Sequence, residues 1–310
     1  MKKILIADPL HPAFKQRAEE LGFIVDDFPA YTREQTLAVI HRYEGLVIRT
    51  KFLIDREIMD AGARLEFIAR AGAGMDNIDV TYAEEKGIAC IHASEGNRDA
   101  VGEHAISLLL ALMNNLLKAD KEVRSLRWDR EGNRGLELGG RTVAIIGYGN
   151  TGRSFAAKLR GFGVRVLAYD KYKTGFGDEH VTEASMEEVV KLADVLSLHL
   201  PLTPETRQLV NEEYLFHFRK PFFLLNTSRG EIVNTAAVLR YLREGKILGA
   251  GLDVLETEKF PELGQTPWFK ELAGSDNVIL TPHVAGWTVE SYRKISEVLG
   301  EKLSGLVGDQ

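Results

Sequence analysis

The chain of 310 residues contains a single cysteine, Cys90. It can form no internal disulfide and no cysteine-ligated zinc site, and no metal is expected. No basic run occurs: 39 Lys and Arg stand against 45 Asp and Glu, for a net charge of −6. Such a chain is a poor candidate for nucleic acid or for an anionic membrane surface, so neither is expected as a partner. The longest apolar stretch, Ala105 to Met113, is half of what a membrane span requires. Met1-Lys2-Lys3 resembles the start of a signal peptide, but the apolar run Ile4-Leu5-Ile6-Ala7 stops at Asp8 and reads better as a buried strand. The default address is cytoplasmic. Tandem repeats, low-complexity segments and proline-rich linkers are also missing.

What is present is alternation. Short, continuous apolar runs recur with helical stretches between them, the pattern of an α/β protein whose parallel strands are covered on both faces. The first series comprises Ile4–Ala7, Phe23–Val25, Gly45–Ile48, Glu66–Ala69 and Ile88–Ile91. The second comprises Val143–Ile146, Val164–Tyr169, Val195–Leu200, Phe222–Leu225, Ala250–Val254 and Val278–Leu280. Between them the pattern predicts one long helix from about Arg98 to Arg124, then an exposed loop from Trp128 to Gly140. A last helix is expected over Val289 to Leu306, with Val289, Ile295, Val298 and Leu299 among its apolar positions.

Gly147-Tyr148-Gly149-Asn150-Thr151-Gly152 follows the strand Val143–Ile146 and opens a helix through Phe155, Ala156 and Leu159. In this context G-x-G-x-x-G has a mechanical reading. Gly147 permits the tight turn, Gly149 lets backbone approach a pyrophosphate, and Gly152 allows close helix–strand packing. Asp170 ends the next strand, 18 residues past Gly152, near the offset expected of a carboxylate that binds the ribose hydroxyls of NAD. NADP would set a phosphate against Asp170, a penalty that Lys171 and Lys173 are placed to soften.

Three more polar residues follow apolar strands, where open α/β sheets bind ligands. They are Arg229, Glu258 and His283. A 2-hydroxy acid dehydrogenase needs an arginine for the substrate carboxylate, a histidine to accept the hydroxyl proton, and a carboxylate to orient that histidine. Read singly, Arg229 is more readily a surface ion pair, Glu258 a solvated loop acid and His283 a capping or core histidine; their chain order and their places at strand ends favour the catalytic reading. His104 and Met75 read as packed residues. Trp287 reads either as lining of the active site or as packing.

Several motifs together resemble the D-2-hydroxyacid dehydrogenase family over nearly the whole chain. They are Arg70-Ala71-Gly72-Ala73-Gly74-Met75-Asp76-Asn77-Ile78-Asp79, the Gly147–Gly152 loop with Asp170, His199-Leu200-Pro201-Leu202-Thr203, Asn226-Thr227-Ser228-Arg229-Gly230, Gly251-Leu252-Asp253-Val254 and Thr281-Pro282-His283-Val284-Ala285-Gly286. The resemblance implies two doubly wound parallel-sheet domains. A Rossmann NAD-binding domain (98–286) is inserted in a flavodoxin-like substrate domain (1–97 plus 287–310), to which the last helix returns. It implies a homodimer built largely through the cofactor domain.

Carried over by position, Arg229 binds carboxylate and carbonyl, His283 is the acid/base and Glu258 its partner. Asn150 and Thr151 meet the pyrophosphate. Leu200, Thr227, Ser228, Asp253 and Gly286 belong with the cofactor, and the N–H groups of Ala73 and Gly74 with the substrate carboxylate. In the family a proline usually follows the catalytic glutamate directly, whereas here Glu258 precedes Lys259-Phe260-Pro261, and Glu256 is a nearby competitor.

Arg49-Thr50-Lys51 and Arg70 resemble the short 3-phosphoglycerate dehydrogenase branch, in which an arginine contacts substrate phosphate. Arg49, Lys51 and Arg70 close two neighbouring strands, so their heads are placed to converge. The competing reading pairs Arg49 and Arg70 with acids such as Asp76 or Asp79. The leading expectation is NAD-dependent oxidation of 3-phosphoglycerate to 3-phosphohydroxypyruvate in L-serine biosynthesis. The alternatives are reduction of glyoxylate, hydroxypyruvate or another 2-keto acid and, more remotely, an NAD(H)-sensing, corepressor-like binding protein. With the chain closing near residue 310, the C-terminal regulatory domain of longer phosphoglycerate dehydrogenases, and serine feedback through it, are not expected.

Overall fold

A computed structural model describes residues 1–308. The described residues form twelve strands, the eleven apolar runs and one more, all paired in parallel. The first sheet contains β1 (Lys3–Ile6), β2 (Ile24–Asp27), β3 (Gly45–Ile48), β4 (Phe67–Arg70) and β5 (Ala89–His92), ordered β2-β1-β3-β4-β5. The second contains β6 (Thr142–Ile146), β7 (Arg165–Tyr169), β8 (Val181–Glu183), β9 (Val195–Leu198), β10 (Phe222–Asn226), β11 (Ile247–Leu252) and β12 (Val278–Leu280), ordered β12-β11-β10-β9-β6-β7-β8. The first is the flavodoxin-like order; the second is the dinucleotide-binding order with one strand added. The chain divides into two compact units, residues 1–98 with the segment from Trp287 onward, and residues 99–286.

The central strands are apolar throughout because successive side chains enter different cores, whereas β2 ends in Asp26 and Asp27. In the first unit, Leu5, Leu46, Ile48 and Ile68 face a core with Ile58 and Met59. Ile4, Ile6, Val47 and Ala69 face another with Phe14 and, from the helix Val289–Gly308, Ile295, Leu299 and Leu303. In the second unit Ala144, Ile146, Leu196, Leu198 and Leu224 share one core. Val143, Ile145, Val195, Phe223 and Leu225 share the other with Leu108, Leu109 and Leu112.

Three expectations are corrected. The long helix is two helices, Ser94–Met113 and Leu116–Arg124, bent by 60° at Asn114-Asn115, where Asn115 takes a left-handed φ of 51°. The short strand β8 is additional: only Val181 of its three residues is buried, so it carries no apolar run. Val289, expected on the apolar face of the last helix, is exposed. Among the described residues no single helix is long and apolar enough to cross a membrane.

Parallel pairing puts every carboxyl strand end of a sheet on one edge, and loops there present backbone N–H groups that need acceptors. Buried Asp8, directly after β1, meets this need for its neighbour: its Oδ2 accepts from the N–H of Arg49, Thr50 and Lys51 at 3.0, 3.2 and 3.2 Å. Asp8→Ala leaves three donors without this partner, and an expected loss of about 2–4 kcal/mol should appear as a lower urea midpoint. A midpoint within experimental error of the parent would refute the role.

Candidate active site

In the second unit the glycine loop leaves β6 where the strand order reverses, between β6 and β9. Gly147 has φ 91°, and a Cβ there would overlap the His199 carbonyl; one on Gly152 would overlap the Gly147 carbonyl. Gly149 faces open space and caps the helix Asn150–Lys158 without a side-chain acceptor, so the helix N–H groups at that end are not closed off by a capping side chain. This fits a pyrophosphate. Buried Thr227 Oγ1 has no hydrogen-bond partner among the described residues, a second feature that fits a polar ligand at this strand edge. Thr151 Oγ1 lies 3.3 Å from Nδ1 of buried His199, whose Nε2 is 2.9 Å from Ser197 Oγ. Burial pushes the His199 pKa down to about 3, so this imidazole is a neutral support for the loop.

Asp170 follows β7. Its Oδ2 accepts from Tyr148 N–H at 2.9 Å and its Oδ1 from Tyr172 N–H at 3.0 Å, which holds the carboxylate beside the glycine loop. Lys171 is ion-paired with Glu205 at 2.9 Å, and Lys173 Nζ reaches the Tyr148 carbonyl at 3.4 Å. Both lysines thus have other partners than a phosphate beside Asp170.

Ser228 and Asp253, both expected with the cofactor, have side chains hydrogen-bonded within the protein. Ser228 Oγ donates to the Leu198 carbonyl at 2.5 Å and accepts from Leu200 N–H at 3.1 Å, tying the ends of β9 and β10 together. Asp253, 1% exposed, accepts from Thr281 Oγ1 at 2.6 Å, Val284 N–H at 2.9 Å and Ala285 N–H at 2.8 Å. Because the Thr281 hydroxyl donates to Asp253, His104 Nε2, 3.0 Å away, is the donor to Thr281. His104 therefore belongs to the support of this loop, which its sequence neighbours do not reveal. Gly286 ends the same loop.

The loop carries His283 with φ 55°, in the left-handed region, and its N–H donates to the Asp253 carbonyl at 2.8 Å. The side chain is half-exposed, and Nδ1 lies 2.9 Å from Glu258 Oε2. Glu256 is engaged elsewhere, accepting from Thr235 N–H at 2.6 Å and Gln208 Nε2 at 3.1 Å. The geometry thus selects Glu258 over Glu256 as the histidine's partner. Arg229 lies past β10 in a turn stapled by fully buried Asn226, which accepts from Ser228 N–H and donates to the Arg229 carbonyl, both at 3.0 Å. A Cβ on Gly230 would overlap the Leu255 carbonyl, so the turn packs directly on the segment leading to Glu258. Since β10, β11 and β12 are adjacent, the strand ends that precede Arg229 and His283 are two strands apart, about 10 Å.

In the first unit Arg70 ends β4 beside Ile48 and His92, and its guanidinium occupies the space a Cβ of Gly72 would need. The N–H groups of Ala73 and Gly74 donate to no acceptor among the described residues. Lys51 is not part of a cation cluster: its Nζ donates to the Pro29 carbonyl at 2.6 Å. Asp79 pairs with Arg56 at 3.7 Å and caps the helix Val80–Glu85, so it does not neutralise Arg49. Among the described residues no group of three or more side chains is arranged to hold a metal.

Replacing Asp170 by Asn removes the charge that opposes a 2′-phosphate. Cofactor titration should then show the NADP-to-NAD affinity ratio rising roughly tenfold, the scale of one like-charge contact near a surface. An unaltered ratio would show that Asp170 does not read the ribose.

The family model described as D-isomer specific 2-hydroxyacid dehydrogenase, NAD binding domain, matches residues 106–285. The D-3-phosphoglycerate dehydrogenase of Methanocaldococcus jannaschii is 34% identical over 308 residues, 98% of this chain and 57% of that protein. The chain thus spans little more than half the length of that relative. The glyoxylate reductase of Pyrococcus furiosus is 35% identical over 280 residues, 87% of this chain and 81% of its own. Among solved structures, the D-lactate dehydrogenase of Aquifex aeolicus complexed with NAD and lactic acid matches with a TM-score of 0.83 at 29% identity, over 99% of this chain and 96% of that one. The unit that carries the glycine loop is an NAD(H)-binding domain. With the family model covering more than half of it and identity running along its whole length, the chain belongs to the D-isomer specific 2-hydroxyacid dehydrogenase family.

Proposed function

We propose that the protein is an NAD-dependent dehydrogenase of D-2-hydroxy acids whose substrate is 3-phosphoglycerate, oxidised to 3-phosphohydroxypyruvate. The His283–Glu258 pair, 2.9 Å apart at the carboxyl edge of the sheet that carries the glycine loop, carries the reading. Nδ1–H donates to the Glu258 carboxylate, which fixes the tautomer and leaves the Nε2 lone pair as the base. Nε2 takes the hydroxyl proton, and half-exposure of the ring lets that proton pass to water. Bound NAD would supply the hydride acceptor for C2. Arg229 supplies a planar fork for the carboxylate, one Nη being held by the Ser228 carbonyl at 2.7 Å. The family resemblance assigns the Ala73 and Gly74 N–H groups to the substrate carboxylate, and Arg49 and Arg70 to the phosphate.

The glyoxylate reductase relative favours a second reading, reduction of an unphosphorylated 2-keto acid. A purely NAD(H)-sensing protein has no use for an oriented proton acceptor, so the dyad speaks against that alternative. The homodimer rests on the resemblance and on exposed apolar residues of the cofactor unit, among them Leu126 (97%) and Trp128 (80%).

NADH absorbance followed over a panel of phosphorylated and plain acids tests the substrate. The highest kcat/KM is expected with 3-phosphoglycerate; a higher value with glyoxylate or hydroxypyruvate would move the assignment to the reductase. His283→Ala should lower kcat about 10²–10⁴-fold while NAD affinity is retained. Glu258→Gln should lower kcat as well, whereas Glu256→Gln should lower thermal stability, because its amide has one acceptor for the two donors, Thr235 N–H and Gln208 Nε2, that the carboxylate satisfies. The opposite pattern would exchange the two glutamates.

A further inference from the structure

Arg49 follows β3 at the point of the first sheet where the strand order reverses, between β1 and β3. Its backbone is pinned to Asp8, yet its guanidinium forms no hydrogen bond or ion pair with a described residue. Instead the guanidinium carbon lies 4.1 Å from the centroid of the Trp287 ring and 5.5 Å from that of Tyr292. Tyr292 is itself held edge-on by the His11 ring at 5.8 Å, and His11 Nδ1 accepts from Ala13 N–H at the start of the helix Pro12–Glu20. An arginine stacked on rings uses its faces and keeps its in-plane N–H donors for a planar or tetrahedral anion. Burial works against the Arg49 charge and pushes its pKa below the ordinary value, opposed by Asp8 and Tyr292. Trp287 is 64% exposed, which a tryptophan retained for core packing would not be.

We propose that Trp287 and Tyr292 are positioning residues that clamp Arg49 with its hydrogen-bonding edge toward a phosphate monoester, and so determine the preference for phosphorylated over plain 2-hydroxy acids. The inference rests on the phosphorylated substrate proposed above and names the residues that select it.

The test uses the full chain in a double-mutant cycle of Arg49→Ala and Trp287→Ala, with Trp287→Phe, Tyr292→Phe and Tyr292→Ala alongside. The first readout is the ratio of kcat/KM for 3-phosphoglycerate to that for D-glycerate. Trp287→Ala should lower this ratio about tenfold and Trp287→Phe about threefold. Tyr292→Phe, which keeps the ring, should preserve more of the ratio than Tyr292→Ala. In the Arg49→Ala background Trp287→Ala should add less than twofold, because the two residues act as one unit. An equal loss for both substrates, or an undiminished loss in the Arg49→Ala background, would mark Trp287 as a packing residue and overturn the clamp.

The second readout is intrinsic fluorescence titrated with inorganic phosphate, without substrate or cofactor. A saturable change is expected in the parent and should vanish in both Trp287→Phe and Arg49→Ala. If this signal is present but no phosphorylated acid is turned over, the phosphate clamp stands and the substrate assignment falls. If 3-phosphoglycerate is turned over with no such signal and an unaltered ratio, the substrate stands and the clamp falls.

Discussion

The active-site loop of the second unit depends on one buried carboxylate. A left-handed conformation at a residue with a Cβ costs about 1–2 kcal/mol, and His283 has one. The side chain of Asp253 accepts from Thr281, Val284 and Ala285 while its main-chain carbonyl accepts from His283. Hydrogen bonds to a charged group are worth about 1.5–3 kcal/mol each, so the anchor outweighs the strain severalfold. The dependence is mutual. A carboxylate 1% exposed is costly to bury without donors, and the donors are in place only when the loop has this shape. The histidine is aimed by a group that it does not touch through its own side chain.

The same device recurs at other strand ends. Asp8 gathers three N–H groups of the loop after β3, Asp170 two around the glycine loop, and Glu256 the Thr235 N–H at a helix start. Parallel sheets place many loops along one edge, and each loop exposes donors that a compact acid can satisfy. Part of the chain's acidic excess is used in this way, as internal scaffolding. Arg49 and Arg229, the cations assigned to substrate, sit beside turns that other residues hold rigid.

How far the sequence discloses this varies with the range of the interaction. Most strands are legible because burial on both faces makes an unbroken apolar run, and β8 is hidden because an edge strand with one buried residue makes none. The glycine loop is legible because turn, helix start and following acid lie within a short segment. The bend at Asn114-Asn115 is hidden because neither residue is a glycine or proline, the usual punctuation of a helix. Glu256 and Glu258 are two residues apart and chemically alike; only the partner that each meets, Thr235 or His283, separates them. The buried orientation of Ser228 and Asp253 and the part played by His104 are likewise products of three-dimensional packing. In His104 the partner is 177 positions away in the chain.

The surroundings of Arg49 show why an aromatic partner suits a residue that must receive an anion. A carboxylate at 4 Å would hold a guanidinium with about 4 kcal/mol at an effective dielectric of 20. That attraction would compete directly with an incoming phosphate, and the pair would present little net charge. Ring stacking contributes about 0.5–2 kcal/mol, enough to restrict the side chain without neutralising it. In a chain of net charge −6, leaving that guanidinium without a direct carboxylate partner is as consequential as placing it at the strand end, and the one acid that bears on it, Asp8, is taken up by backbone N–H groups. The aromatic residues supply rigidity while the positive charge remains available, and discrimination between a phosphorylated and a plain acid needs both.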